Sequence, residues 1–206
     1  MNDRHERLCT AFEGSRRIES GELAQVALKT KQVIDGGEHA PVIIFDDVTS
    51  EPIEVDFRGT AEDVLRRLEE RPIEGAHGAA LDQPDGEAPR RVGRPKLGVV
   101  AREVTLLPRH WDWLNSQRGG ASVALRKLVE EARHVNEGRD RVRQSQEAAY
   151  RFMSILAGNQ PGFEEATRAL FAANPKRFDE LVEPWPADVR DHARKLATVA
   201  LRGPGC

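Results

Sequence analysis

The stretch REVTLLPRHWDWLNSQRGGASVALRKLVEEAR, residues 102–133, decides how the chain is built. EVTLL alternates as a strand should, and Pro108 ends it while preparing a helix start. Trp111 and Leu114 follow three apart, on one face of that helix, before Gly119 and Gly120 break the chain. Ser122 stands where it can cap a second helix, whose Val123, Leu125, Leu128, Val129 and Ala132 form an apolar stripe. Two helices of about three turns and a strand of about five residues cannot close a core of their own. An unpaired strand also leaves a row of open backbone donors and acceptors. Pairing it with its copy in a second chain answers both difficulties. The expectation is an intertwined homodimer, with Val104, Leu106, Trp111, Leu114, Leu125, Leu128 and Val129 as its ribbon and core.

Around this piece the 206 residues read as an α+β chain. Residues 1–73 suggest a small α/β domain in β-β-α-β-β-α order. LCTAFEG and RRIES pair across Gly14-Ser15, and a helix follows from Leu23 to Ile34, with Ser20 as its cap and Gly36-Gly37 as its end. PVIIFDDVTSEPIEVDF reads as a hairpin, with Ile53, Val55 and Phe57 alternating, and Thr60 caps a compact helix. Residues 74–101 are rich in Gly, Pro, Ala and charge with almost no large apolar group, which predicts a flexible linker. The segment 102–135 is the strand–helix–helix piece. Residues 136–206 are a helical region in which Phe163, Ala166, Leu170, Phe171, Phe178, Leu181 and Val182 suggest a small bundle, with Pro161 and Pro186 in first turns.

Charge is unevenly spread. The chain carries a net -3, yet residues 1–73 hold 10 basic and 16 acidic groups, and residues 74–88 hold 4 acidic groups and no basic one. Residues 89–135 hold 10 basic against 4 acidic groups, and residues 136–206 hold 11 against 10. Positive charge is concentrated where the opening stretch lies. Charged residues make up 32% of the chain and the mean hydropathy is -0.57, with no apolar run long enough to span a membrane and no apolar signal segment at the N-terminus. Cys9 and Cys206, near opposite ends, fit reduced thiols of a cytoplasmic protein better than a disulfide.

The order strand–helix–helix in residues 102–133 resembles the ribbon-helix-helix proteins. The resemblance implies an obligate two-fold dimer whose antiparallel ribbon enters the major groove of double-stranded DNA, with the N-terminus of the second helix, at Ser122, facing a phosphate. Two registers remain open. One turns Val104 and Leu106 inward and Glu103, Thr105 and Leu107 outward; the other turns Arg102, Val104 and Leu106 outward. Thr105 can meet a base edge or a thymine methyl, Arg102 a guanine or a phosphate, and Glu103 a cytosine amino group. Neither outward set is the polar or basic row usual in that family. Just upstream, RRVGRPKLG resembles an AT-hook. Arg90, Arg91, Gly93, Arg94, Pro95 and Lys96 would then lie along an A·T-rich minor groove, against the plainer reading of a solvated basic linker.

Other constellations carry less. Asp46-Asp47 after a buried strand fits metal or phosphoryl chemistry, but Asp also opens tight turns, and the turn is the better reading. His110 and His192 read as surface or boundary residues. Trp111 and Trp113 have rings that can stack on bases, and Trp111 is better explained as core. Trp185, between Pro184 and Pro186, fits a helix junction. No phosphate loop, nucleophile elbow or zinc spacing appears, so no catalysis, metal or cofactor is expected.

The combination of TAFEG, GRPKLGVVAREVTLLPRHWDWL, GGASVALRKLVEEAR, AAYRFM and PWPADVRDHARKLA resembles a bacterial family known only as a domain of unknown function. It implies a bacterial cytoplasmic protein. The leading expectation is a homodimeric DNA-binding protein, a transcriptional regulator or DNA-organising factor. The alternative is a non-catalytic interaction module in which the ribbon only dimerises and the acidic N-terminal domain binds a protein partner.

Overall fold

A computed structural model describes residues 8–37, 40–70 and 102–203. The chain is α+β, and its residues fall into two compact units. One draws on Met1–Pro72 and His134–Cys206, the other on Ile73–Arg133.

The first unit is built on a three-stranded antiparallel sheet. Strands β1 (Leu8–Glu13) and β2 (Arg16–Glu22) form a hairpin, helix α1 runs Leu23–Asp35, and β3 is Val42–Asp46. The sheet order is β2-β1-β3, and a bulge lies in the β1–β2 ladder at Ala11/Phe12. Central β1 is buried on both faces, because alternate side chains of a strand point to opposite sides. Cys9 and Ala11 join Val26 of α1 and Ile44 of β3 in one core cluster. Phe12 joins Phe45 in the other, against helices from the C-terminal part of the chain. Helix α2 (Ala61–Glu70) starts with a reciprocal cap, as expected from Thr60. Thr60 Oγ1 accepts from the Asp63 amide at 3.2 Å, and the Thr60 amide donates to Asp63 Oδ2 at 3.0 Å. That carboxylate is held below its ordinary range by these bonds to Thr60 and by the charge of Arg66.

The C-terminal helices close the second core face. They are α4 (Gly120–Leu156), α5 (Phe163–Phe171), α6 (Pro175–Val182) and α7 (Ala187–Arg202), with α3 (Pro108–Ser116) before them in the chain. From His134 onward α4 belongs to the first unit, where it contributes Ala148, Ala149, Phe152 and Met153 to the core. Phe152 sits 5.3 Å from Phe12 and 5.3 Å from Phe45, ring centre to ring centre. Trp185 is buried at the junction of α6 and α7, and its Nε1 donates to the Pro161 carbonyl at 2.9 Å.

Several expectations need correction. Residues 53–57 are not a fourth strand: the Ile53 amide reaches the Ile44 carbonyl at 2.7 Å and Pro52 bridges Phe45, but no ladder follows. Pro52 has no amide to give. Ile53, Val55 and Phe57 still pack against the α1-side cluster, so their alternation reports burial rather than pairing. Ser20 lies in β2 opposite Thr10, and Glu22 is the N-cap of α1 without a side-chain bond. Ser122 is inside α4, which starts at Gly120. Gly119 makes that start possible at φ +95°, where a Cβ would press Val123 at 3.1 Å. Pro161 precedes the Gly162 cap of α5, and Pro186 is itself the N-cap of α7. Phe171 stays half exposed beside Tyr150.

His192 is not a boundary residue. It is buried among Phe12 and Phe152, at 5.3 and 4.6 Å between ring centres, and among the described residues Nε2 has no hydrogen-bond partner. Burial, with the charges of Lys195 and Arg17 against that of Asp47, lowers its pKa from 6.5 to about 4.

Candidate nucleic-acid interface

The second unit holds the strand–helix–helix stretch, and its first residues are not a strand within the single chain. Residues 102–106 form neither helix nor ladder strand, and among the described residues none of them has a backbone hydrogen bond. Leu107, extended at φ -65° and ψ 148°, is the N-cap of α3, and its carbonyl accepts from the amides of His110 and Trp111. Pro108 occupies the first helical position, where a missing N–H costs nothing.

Few side chains in this stretch are covered. From residue 102 to residue 133 only Leu114, 3% exposed, and Ala124, 9%, are buried. Leu106, Trp111 and Leu125 are half-buried, while Val104, Leu107, Leu128 and Val129 are exposed. Leu125, Leu128, Val129 and Ala132 recur at helical spacing, so an apolar stripe on α4 faces water in the single chain. Arg102, Glu103, Thr105 and Ser122 are likewise exposed. The basic linker candidates Arg90, Arg91, Gly93, Arg94, Pro95 and Lys96 lie outside the described residues.

The cations of this unit differ from those of the first. Among the described residues, Arg102, Arg109, Arg118, Arg126 and Lys127 have no carboxylate partner; Arg126 Nε donates to the Ser122 carbonyl, and only Arg133 pairs, with Glu130 at 3.2 Å. In the first unit Arg16, Lys31, Arg58, Arg66, Arg143, Arg151, Arg168, Arg177, Arg190, Arg194 and Lys195 have acid partners, while among the described residues Lys29, Arg139, Arg141, Lys176 and Arg202 do not. Sequence reasoning counted the positive charge of the stretch but not that it is unneutralised, since pairing is a matter of space. It also passed over Arg109, Arg118 and Lys127 individually.

The possible catalytic pair is taken up structurally. Asp46 Oδ1 accepts from the amides of Val48 and Thr49 and from Thr49 Oγ1, which folds the turn after β3. Asp47 accepts from Thr10 Oγ1 at 2.6 Å and Lys195 Nζ at 2.7 Å, tying that turn to β1 and α7. Arg151 Nη1 adds a bond to the Thr49 carbonyl. Among the described residues no group of acids, histidines and cysteines is arranged to hold a metal, and no helix is long and apolar enough to cross a membrane.

Residues 8–197 match the model of a family described as "Uncharacterized protein conserved in bacteria (DUF2239)". No curated protein and no solved structure matches the chain. Because the family match begins with β1, takes in residues 102–133 and ends within α7, the chain belongs to that bacterial family.

Proposed function

We propose that the protein is a homodimer that binds double-stranded DNA, as a transcriptional regulator or a DNA-organising factor. In this reading residues 102–133 of two chains form a ribbon-helix-helix body. The observation that carries it is the conjunction in one short segment of a backbone run without partners, an exposed apolar stripe and five cations without acids. A second copy would satisfy the first two features, and a polyanion the third. Leu106 is half-buried while Thr105 and Leu107 are exposed, as the register with Leu106 inward requires; Val104, inward in the same register, is exposed in the single chain and would be covered by the second copy. Glu103, Thr105 and Leu107 then face the groove, so base reading rests on few polar groups and phosphate contacts dominate. The basic linker, with Arg91 and Arg94, would add electrostatic grip from a tethered second site.

A mobility shift with mixed genomic fragments at two salt concentrations tests this. Binding is expected to weaken steeply with salt. Arg118→Ala should lower the slope of log K against log salt by about 0.9 for each phosphate left without its cation, and so by about twice that in a dimer. Arg91→Ala with Arg94→Ala should weaken binding further. No shift at low salt from a stable dimer would leave the interaction module, with the acidic N-terminal region meeting a protein partner.

A further inference from the structure

Of the three tryptophans, Trp113 alone has its ring largely in water. Trp185 is 3% exposed with its Nε1 bonded, Trp111 is half-buried, and Trp113 is 51% exposed. Among the described residues the Trp113 ring has no ring contact and its Nε1 no hydrogen bond. Its carbonyl, by contrast, is well used, accepting from Ser116 Oγ at 2.7 Å and from Gln117 Nε2 at 3.1 Å. Indole is a large apolar surface with a single polar handle, and it normally finds cover for one and an acceptor for the other. On α3 Arg109 stands four residues before it and His110 three before, so these share its face, and the C-cap Gln117 reaches back to its carbonyl. Asp112 stands three residues after Arg109 on the same side of the helix, yet among the described residues the two form no ion pair and Arg109 has no carboxylate partner.

We infer that this face of α3 takes an unpaired nucleic-acid base, stacked on Trp113, with the adjoining phosphate held by Arg109. The inference rests on the nucleic-acid reading above for its anion and adds a preference for open strands. In a duplex both faces of a base are occupied by its neighbours, whereas an unpaired base offers a free π-face of any sequence. An apolar protein surface would cover the ring but desolvate Arg109 and Asp112 beside it while offering neither a partner, which is costly. A nucleotide supplies ring and phosphate together.

The test uses the full chain with a labelled oligothymidylate of about 20 nucleotides, long enough for one or more sites, and a duplex of equal length. Oligothymidylate should bind and quench tryptophan emission, and the quench should vanish in Trp113→Phe. Trp113→Ala should weaken the single-strand affinity by roughly fivefold or more, the loss expected of one base–aromatic stack, while Trp113→Phe retains most of it. Unchanged melting of both variants shows that the fold survives. Wild-type single-strand affinity in Trp113→Ala overturns the inference. So does protection of Trp113 from acrylamide in the nucleic-acid-free protein, which would mean that a second copy covers the ring. Duplex binding without single-strand binding overturns it and leaves the proposed function standing; binding to neither removes both.

Discussion

The sheet of the first unit and the run 102–106 of the second treat the same physical problem in opposite ways. On the outer edge of β2 the Arg17 amide donates to Asp188 Oδ2 at 2.9 Å, and the Ser20 amide to Glu19 Oε1 at 3.1 Å. Beyond β3 the returning chain supplies the Glu51 carbonyl to the Asp46 amide, and the Ile53 amide to the Ile44 carbonyl. Both edges are thus capped from inside the chain, the usual defence against unwanted strand pairing. The run 102–106 has no such cap among the described residues, and Val104 within it and Leu107 just after it are exposed apolar side chains. One unit completes itself; the other has the surface of something to be completed. The charges lean the same way: among the described residues most cations of the first unit are paired with acids, and most of those of the second are not.

The contrast is sharpest in the cost of removing an apolar side chain. Phe152→Ala, in the ring cluster of the first unit, should cost about 3–5 kcal/mol, read as a fall in denaturation midpoint. Next comes acid. Since the His192 pKa lies at about 4 in the fold and at its ordinary 6.5 when unfolded, only the unfolded chain takes up a proton in that window. Stability should therefore fall as pH drops from 6.5 towards 4 and then level off with respect to this group, by about 3 kcal/mol in total. His192→Leu should flatten that part of the profile; an unchanged slope would remove His192 from the account.

Leu128→Glu makes the comparison from the other side. On a stripe that stays in water it should alter melting by no more than about 0.5 kcal/mol. On a stripe covered by a second copy it buries an unpaired charge, and should weaken dimerisation by about 2 kcal/mol or more, roughly thirtyfold in Kd. The smallest effect expected is at the β2 edge. Asp188→Ala frees the Arg17 amide and should cost about 1 kcal/mol, the worth of a single hydrogen bond to a charged acceptor near the surface.

Local chemistry was legible in the sequence, and spatial pairing was not. The hairpin across Gly14-Ser15, the end of α1 at Gly36 and the Thr60 cap all depend on neighbours in the chain, and the structure contains each of them. Ile53, Val55 and Phe57 misled because alternation marks a side-chain row facing a core, whether or not the backbone pairs. His192 was missed because Arg190, Asp191, Arg194 and Lys195 surround it in sequence, while Phe12 and Phe152, which receive it, are far away. For the candidate interface, the apolar stripe and the excess of positive charge could be read directly. The exposure of Trp113 and the lack of acid partners for Arg109, Arg118 and Lys127 required coordinates.

Everything turns on whether a second copy completes the second unit, and solution mass measures that directly. Light scattering at micromolar concentration should give twice the 23.0 kDa of one chain. Alternate residues of an antiparallel ribbon bond to the partner, so of Val104→Pro and Thr105→Pro, compared separately, one should fall to the mass of a single chain while the first unit melts unchanged. A wild-type mass of one chain, or a doubled mass that survives both prolines, would contradict the account.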